Sequence, residues 1–196
     1  LGENFVKSKK DLIEEIIKFF IERLKSYLKD NEKVNADVIN AVMNEYLENL
    51  DSHKTIDILY LAKKIKFLDN FVKSSTDKNL IALYKRAANI LAIEEKKDGR
   101  KYDMKPSRLA LRNKYEAVLK NRIKQVSKDF SKLITKGEFE TAFKLLHVLE
   151  APLTHFFDNV VVNDADKGAR ENRLLLLSQI RGLFNQVADL SKIEIS

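Results

Sequence analysis

Side chains able to do chemistry are sparse in this 196-residue chain, and their spacing argues against a reaction centre. The histidines His53, His147 and His155 lie far apart and form no H-E-x-x-H or other ligand pair. His155 has Asp158, Asp164 and Asp166 near it in sequence, a set that could gather around a metal. A lone histidine in an aromatic helix turn is more often structural. Paired carboxylates such as Glu14 and Glu15 stand among lysines, where ion pairing at i,i+4 is commoner than acid–base catalysis. Neither G-x-x-x-x-G-K-[ST] nor G-x-G-x-x-G occurs, so no glycine-rich loop cradles phosphates. With no cysteine, disulfides, thiolate zinc sites and cysteine nucleophiles are excluded. No catalytic residue and no cofactor is expected. What remains is binding.

The charge distribution says what could be bound. The net charge is +7, and between Lys96 and Lys136 there are 14 Lys/Arg against 4 Asp/Glu. The rest of the chain carries 22 against 25, so the excess is local. A concentrated basic stretch is the footprint of a phosphate-binding surface; the competing reading is a solvated, lysine-rich helix face. Within it, Arg108, Arg112, Lys120, Arg122 and Lys124 are candidates for general phosphate attraction. Tyr102 could stack on a base or stand idle in its loop.

The elements that would position these residues are helices. Five Gly and two Pro are too few to punctuate a many-stranded fold. Apolar residues recur at three or four throughout. One stripe runs through Ile13, Ile16, Ile17, Phe20, Leu24, Tyr27 and Leu28. A second, capped by Asn35, takes in Val38, Val42, Tyr46, Leu47 and Leu50. A third helix is expected from about Thr55 to Val72, and a fourth from a cap at Thr76 or Asp77 through Leu91. KKDGRKYDMKP then reads as a charged loop. Ser107 is expected to open a long helix with a seam of Tyr115, Leu119, Ile123, Val126, Phe130 and Leu133, stopped by Gly137. A short helix over 139–149, one with Pro152 in its first turn, and a last one over 166–193 complete an all-α bundle of seven or eight helices. No apolar run approaches the roughly 20 residues of a membrane span, so no membrane partner is expected and a cytoplasmic setting is. The opening LGENFVKSKKDL lacks a signal peptide's apolar core. It also lacks an initiator Met, as expected of a piece of a longer chain.

The C-terminal third resembles the end of the β subunit of the bacterial tetrameric glycyl-tRNA synthetase. The resemblance is carried by Phe156, Phe157 and Asp158; Val160 to Val162; Asp164 and Asp166; Arg170, Asn172, Arg173 and Leu174; and Val187 to Ser191. Two earlier segments are similar in the same order: Phe20, Arg23, Leu24, Leu28 with Asp37 to Val42, and Lys85, Arg86, Asn89, Ile90 and Leu91. It implies one all-helical domain of the DALR-like anticodon-binding type. That domain would comprise leading helices over 1–95, the charged loop over 96–106, and a long helix with DALR-like helices over 107–196. Ala169 departs from the pattern, where Leu is usual. The implied partners are glycine tRNA, the synthetase α subunit and the remainder of the β chain. ATP and Mg would be used by the α subunit, so this piece contributes to a ligase without holding its active site.

The resemblance also implies site residues. Every glycine anticodon ends in two cytosines, which single-stranded readers grip by stacking and by hydrogen bonds to exposed edges. Acid, base and aromatic side chains are all needed for that. Arg23, Lys85, Arg86, Asn89, Asn172 and Arg173 lie inside the family-like motifs and are the candidates for base or phosphate contact. For Arg86 and Arg173 the alternative is an internal bond to Asp158, Asp166 or Asp189 that ties helices together. Phe156 and Phe157 read as core. The competing function is a helical protein-interaction or subunit-assembly module without RNA readout.

Overall fold

Helix formation follows the apolar periodicity closely, and local caps set most of the boundaries. The computed structural model describes residues 8–48 and 57–194. Among them are eight α-helices and no strand: α1 (Lys9–Asp30), α2 (Ala36–Glu48), α3 (Ile58–Lys73), α4 (Lys78–Asp98), α5 (Lys114–Thr135), α6 (Phe139–Leu146), α7 (Glu150–Asn159) and α8 (Lys167–Phe184). Leu50, His53 and Thr55 lie outside the described residues. The chain divides into two compact units, Leu1–Asp69 and Asn70–Ser196, with the boundary inside α3.

In the first unit, α1 packs on α2. Ser8 and Asp11 form a reciprocal capping box at the start of α1. Asn35 caps α2 through Asp37 N at 2.8 Å, and Asp69 Oδ1 accepts from Asn35 N at 3.0 Å. Ile21, Leu28, Val38, Val42, Met43, Leu61, Ile65 and Leu68 are buried. The α1 stripe is only partly covered: Leu28 is buried, while Ile13, Ile16, Phe20 and Tyr27 are exposed.

In the second unit, α4 and α5 both pack on α8, and α6 and α7 pack on α5. Leu80, Tyr84, Leu91, Leu119, Ile123, Phe130, Leu174, Leu177 and Phe184 form its core. Phe143 meets Phe71, Phe130 and Phe184 at ring-centroid distances of 4.5, 5.8 and 6.0 Å. Gly99 (φ +64°) and Gly137 (φ +72°) end α4 and α5 in the left-handed conformation that glycine adopts without steric cost.

Expected boundaries differ in four places. Helix α4 runs on to Asp98, into the expected loop, and α6 ends at Leu146 rather than at 149. Helix α5 starts at Lys114, not at Ser107. Its cap is Asn113, whose side chain accepts from Tyr115 N (3.0 Å) and Glu116 N (3.1 Å). Upstream amides are taken by side chains instead of by a helical ladder: Ser107 N donates to Asn172 Oδ1 at 2.7 Å and Arg112 N to Glu116 Oε2 at 2.7 Å. Helix α8 ends at Phe184, short of the expected 193. The chain then folds back, burying Val187, Ala188, Leu190 and Ile193. The Tyr84 hydroxyl lies 3.0 Å from both Asn185 Oδ1 and Asp189 Oδ1 and anchors that return.

Candidate nucleic-acid interface

The C-terminal end of α4 presents Glu94, Glu95 and Asp98 toward α8, and α8 answers with arginines. Arg181 grips Glu95 with two parallel hydrogen bonds of 2.7 and 2.9 Å, the fork geometry that makes guanidinium–carboxylate pairs strong. Arg170 reaches Glu94 at 2.5 Å and Asp98 at 2.7 Å. Arg173 is buried against Glu116 (2.7 Å), Asp164 (2.6 Å) and the Val161 carbonyl (2.8 Å). The Arg181 hydrogen bonds hold Glu95 well below the usual carboxylate range, at about 2, with Lys101 and the Tyr102 amide adding to the effect. Glu94 is held down by Arg170 and Asn163, and Asp98 by Tyr102 and Arg170. Burial and the nearby Asp189 push the Tyr84 phenol up. These arginines are spent on the fold.

Elsewhere in the same unit the balance is reversed. The segment at Lys105, Pro106 and Arg108, the α5 face from Lys120 to Ser131, and Gln179 of α8 enclose a cavity of about 770 Å³. Lys105, Arg108, Lys120, Lys124 and Lys128 line it, and no carboxylate does. Lys120 donates to the Pro106 carbonyl at 2.5 Å. Burial, and then the Arg108 charge, lower its pKa. The cavity wall is fixed from behind by Asn172, which is buried and holds Ser107 N.

The residues expected from sequence scatter over these settings. Arg23 is exposed on α1. Lys85 donates to the Ile193 carbonyl at 2.6 Å. Arg86 is exposed, its guanidinium 4.3 Å from the centroid of the buried Phe157 ring; no bond to Asp158, Asp166 or Asp189 is formed. Asn89 is exposed on the same helix. Arg112 pairs with Asp166 at 2.9 Å, and Arg122 bonds Gln125 at 2.8 Å. Asn172 and Arg173 are buried, at 2% and 5% exposure, and face protein partners. Only Arg108, Lys120 and Lys124 come together in the cavity. Tyr102 is buried too, its ring 4.7 Å from the Arg100 guanidinium and its hydroxyl on Asp98. His155 is exposed beside Tyr115, at 6.2 Å between rings. Among the described residues no group of three or more His, Asp or Glu could hold a metal, and no helix is long and apolar enough to cross a membrane.

Residues 80–196 match the DALR anticodon binding domain. The chain belongs to this family. It is also similar to the glycine–tRNA ligase beta subunit of Rhodospirillum centenum, 39% identical over 183 residues, which are 92% of this chain and 24% of that one. The corresponding subunit of a Ruegeria species is 37% identical over 180 residues, 92% of this chain and 25% of the relative. The chain thus spans about a quarter of the length of the curated relatives it matches. The DALR span contains the arginine–carboxylate pairs and the whole basic cavity, while Arg23 lies outside it. Lys105, Lys128 and Gln179 were not legible as partners of Arg108. The i,i+4 spacing of Lys120, Lys124 and Lys128 is the signal that could have found part of the set.

Proposed function

We propose that the chain is the tRNA-binding C-terminal portion of a glycine–tRNA ligase β subunit and binds glycine tRNA for aminoacylation by the holoenzyme. The observation that carries this reading is the DALR anticodon binding domain over residues 80–196, coupled with β-subunit relatives along 92% of the chain. The concentration of unpaired cations in the same span supplies the electrostatic attraction that RNA binding needs. In this reading an α subunit and the rest of the β chain are the protein partners. ATP and Mg act at the α subunit, and the setting is the cytoplasm.

Of the site residues, Arg108, Lys120, Lys124 and Arg122 meet phosphates, and Arg86, Asn89 and Arg23 are the exposed groups free to approach bases or backbone. Lys85, Arg112 and Arg173 act as positioning residues, because their charged ends are bonded within the protein, and Asn172 does so through its Oδ1. Mobility-shift titration of glycine tRNA, beside a variant with both anticodon cytosines replaced, tests the reading. Tighter binding of the unaltered tRNA is expected, weakening steeply with salt. Equal affinity for both would remove anticodon recognition by this chain. Retention of the α subunit without any RNA would instead favour subunit assembly.

A further inference from the structure

The basic cavity between the 105–108 segment, α5 and α8 has a chemistry narrower than general RNA attraction. Resting on the tRNA-binding reading, we propose that it seats consecutive phosphodiesters of a single ribonucleotide strand, independently of base sequence and in preference to deoxyribonucleotides. Five observations carry this. Its five cations have no carboxylate partner among the described residues, unlike Arg112, Arg170, Arg173 and Arg181, each of which has one. Uncompensated like charges gathered in a concave, partly desolvated surface repel one another, as Arg108 and Lys120 do, and that cost is relieved by a polyanion.

Lys120, Lys124 and Lys128 repeat at i,i+4 along α5, about 6 Å apart on its axis. They form a ladder of cations that a chain of phosphates can follow. The cavity, at about 770 Å³, falls in the range of roughly 300–1,000 Å³ that small-ligand sites occupy. It holds no aromatic side chain and no carboxylate, so it has neither an aromatic stacking platform nor an acid to accept from a cytosine amino group. Its remaining polar groups are the carboxamides of Asn121 and Gln179 and the hydroxyls of Ser127 and Ser131. Both hydroxyls already donate to helix carbonyls, at 2.6 and 3.0 Å. Neither carboxamide has a protein partner among the described residues. A carboxamide both donates and accepts, which matches a ribose 2′-hydroxyl.

Asn172, a residue of the motif that first suggested RNA contact, acts here through the backbone. By holding Ser107 N it sets the wall that carries Lys105, Pro106 and Arg108.

The test uses the full 196-residue chain, a Lys105→Ala/Arg108→Ala/Lys124→Ala/Lys128→Ala variant, and a Gln179→Leu variant. Affinities for glycine tRNA, for its cytosine-altered form, for oligouridylate and for oligodeoxyuridylate are measured against salt. The four-site variant should lose affinity for both tRNAs by the same factor, at least tenfold. Its log–log salt slope should fall by about 0.7 for each phosphate contact removed. Gln179→Leu should shrink the RNA-over-DNA preference and leave the slope alone. Unchanged slope and affinity in the four-site variant, with the unmodified chain still preferring glycine tRNA, would overturn the phosphate seat while the tRNA reading stands. If the unmodified chain shows no glycine preference but binds oligouridylate through these four residues, the seat stands and the glycine reading fails. Equal binding of oligouridylate and oligodeoxyuridylate by the unmodified chain would overturn the ribose preference.

Discussion

Two basic regions of the second unit share α8 and differ in what neutralises them. On one, Arg170, Arg173 and Arg181 are met by Glu94, Asp98, Asp164, Glu116 and Glu95 at 2.5–2.9 Å. On the other, Lys105, Arg108, Lys120, Lys124 and Lys128 face a cavity with no acid in its lining. The residue types are alike, and the neighbours decide the use. Freeing a paired arginine would leave its buried carboxylate uncompensated, so it serves the fold, whereas an unpaired cation at the surface stays available to a ligand. Net charge alone cannot separate the two.

The sharpest way to break this comparison is at its most buried pair. Arg173→Met leaves Glu116, fully buried, without its charge partner, and should cost about 3–5 kcal/mol in urea unfolding. A loss below 1 kcal/mol would return Arg173 to the ligand-facing group. Next is the Arg181–Glu95 fork, where Glu95→Gln should cost about 2 kcal/mol at neutral pH. Glu95 has its pKa lowered from 4.5 to about 2 by the Arg181 hydrogen bonds. Its contribution is therefore complete above the unfolded-state value and is lost as pH falls toward 2. Unfolding free energies measured from pH 6 down to pH 2 should drop less in Glu95→Gln than in the unmodified protein. A smaller effect is expected for Arg86→Ala, which removes an exposed guanidinium from over the Phe157 ring. It should lower stability by about 0.5–1 kcal/mol in thermal melts. Least of all, Lys124→Ala/Lys128→Ala should change stability by no more than about 0.5 kcal/mol, because no protein partner is lost. Its effect should appear in RNA affinity alone.

The sequence made the helices legible because their apolar periodicity is strong and their caps are local. Asn35 and Gly137 act where their types predict. What escaped was decided by distant partners. Ser107 does not start the helix: its amide goes to Asn172, 65 positions later, and the cap is Asn113. Helix α8 stops at Phe184 because Tyr84, on α4, binds Asn185 and Asp189. The same limit applies to the site. Arg112 and Arg108 are four residues apart and look equivalent in sequence, yet Arg112 pairs with Asp166 and Arg108 lines the cavity. Family-like motifs pointed to Asn172 and Arg173 as contacts, but a motif does not say whether a residue touches the ligand or builds the surface that does.

Lysine acetylation of the chain with and without saturating glycine tRNA, read by mass spectrometry, tests the central distinction most directly. Lys101 is an internal reference, since it is exposed yet pairs with Glu95 at 2.9 Å. Lys105, Lys124 and Lys128 should lose most of their reactivity in the complex while Lys101 keeps its own. Undiminished acetylation of those three in the tRNA complex would contradict the account.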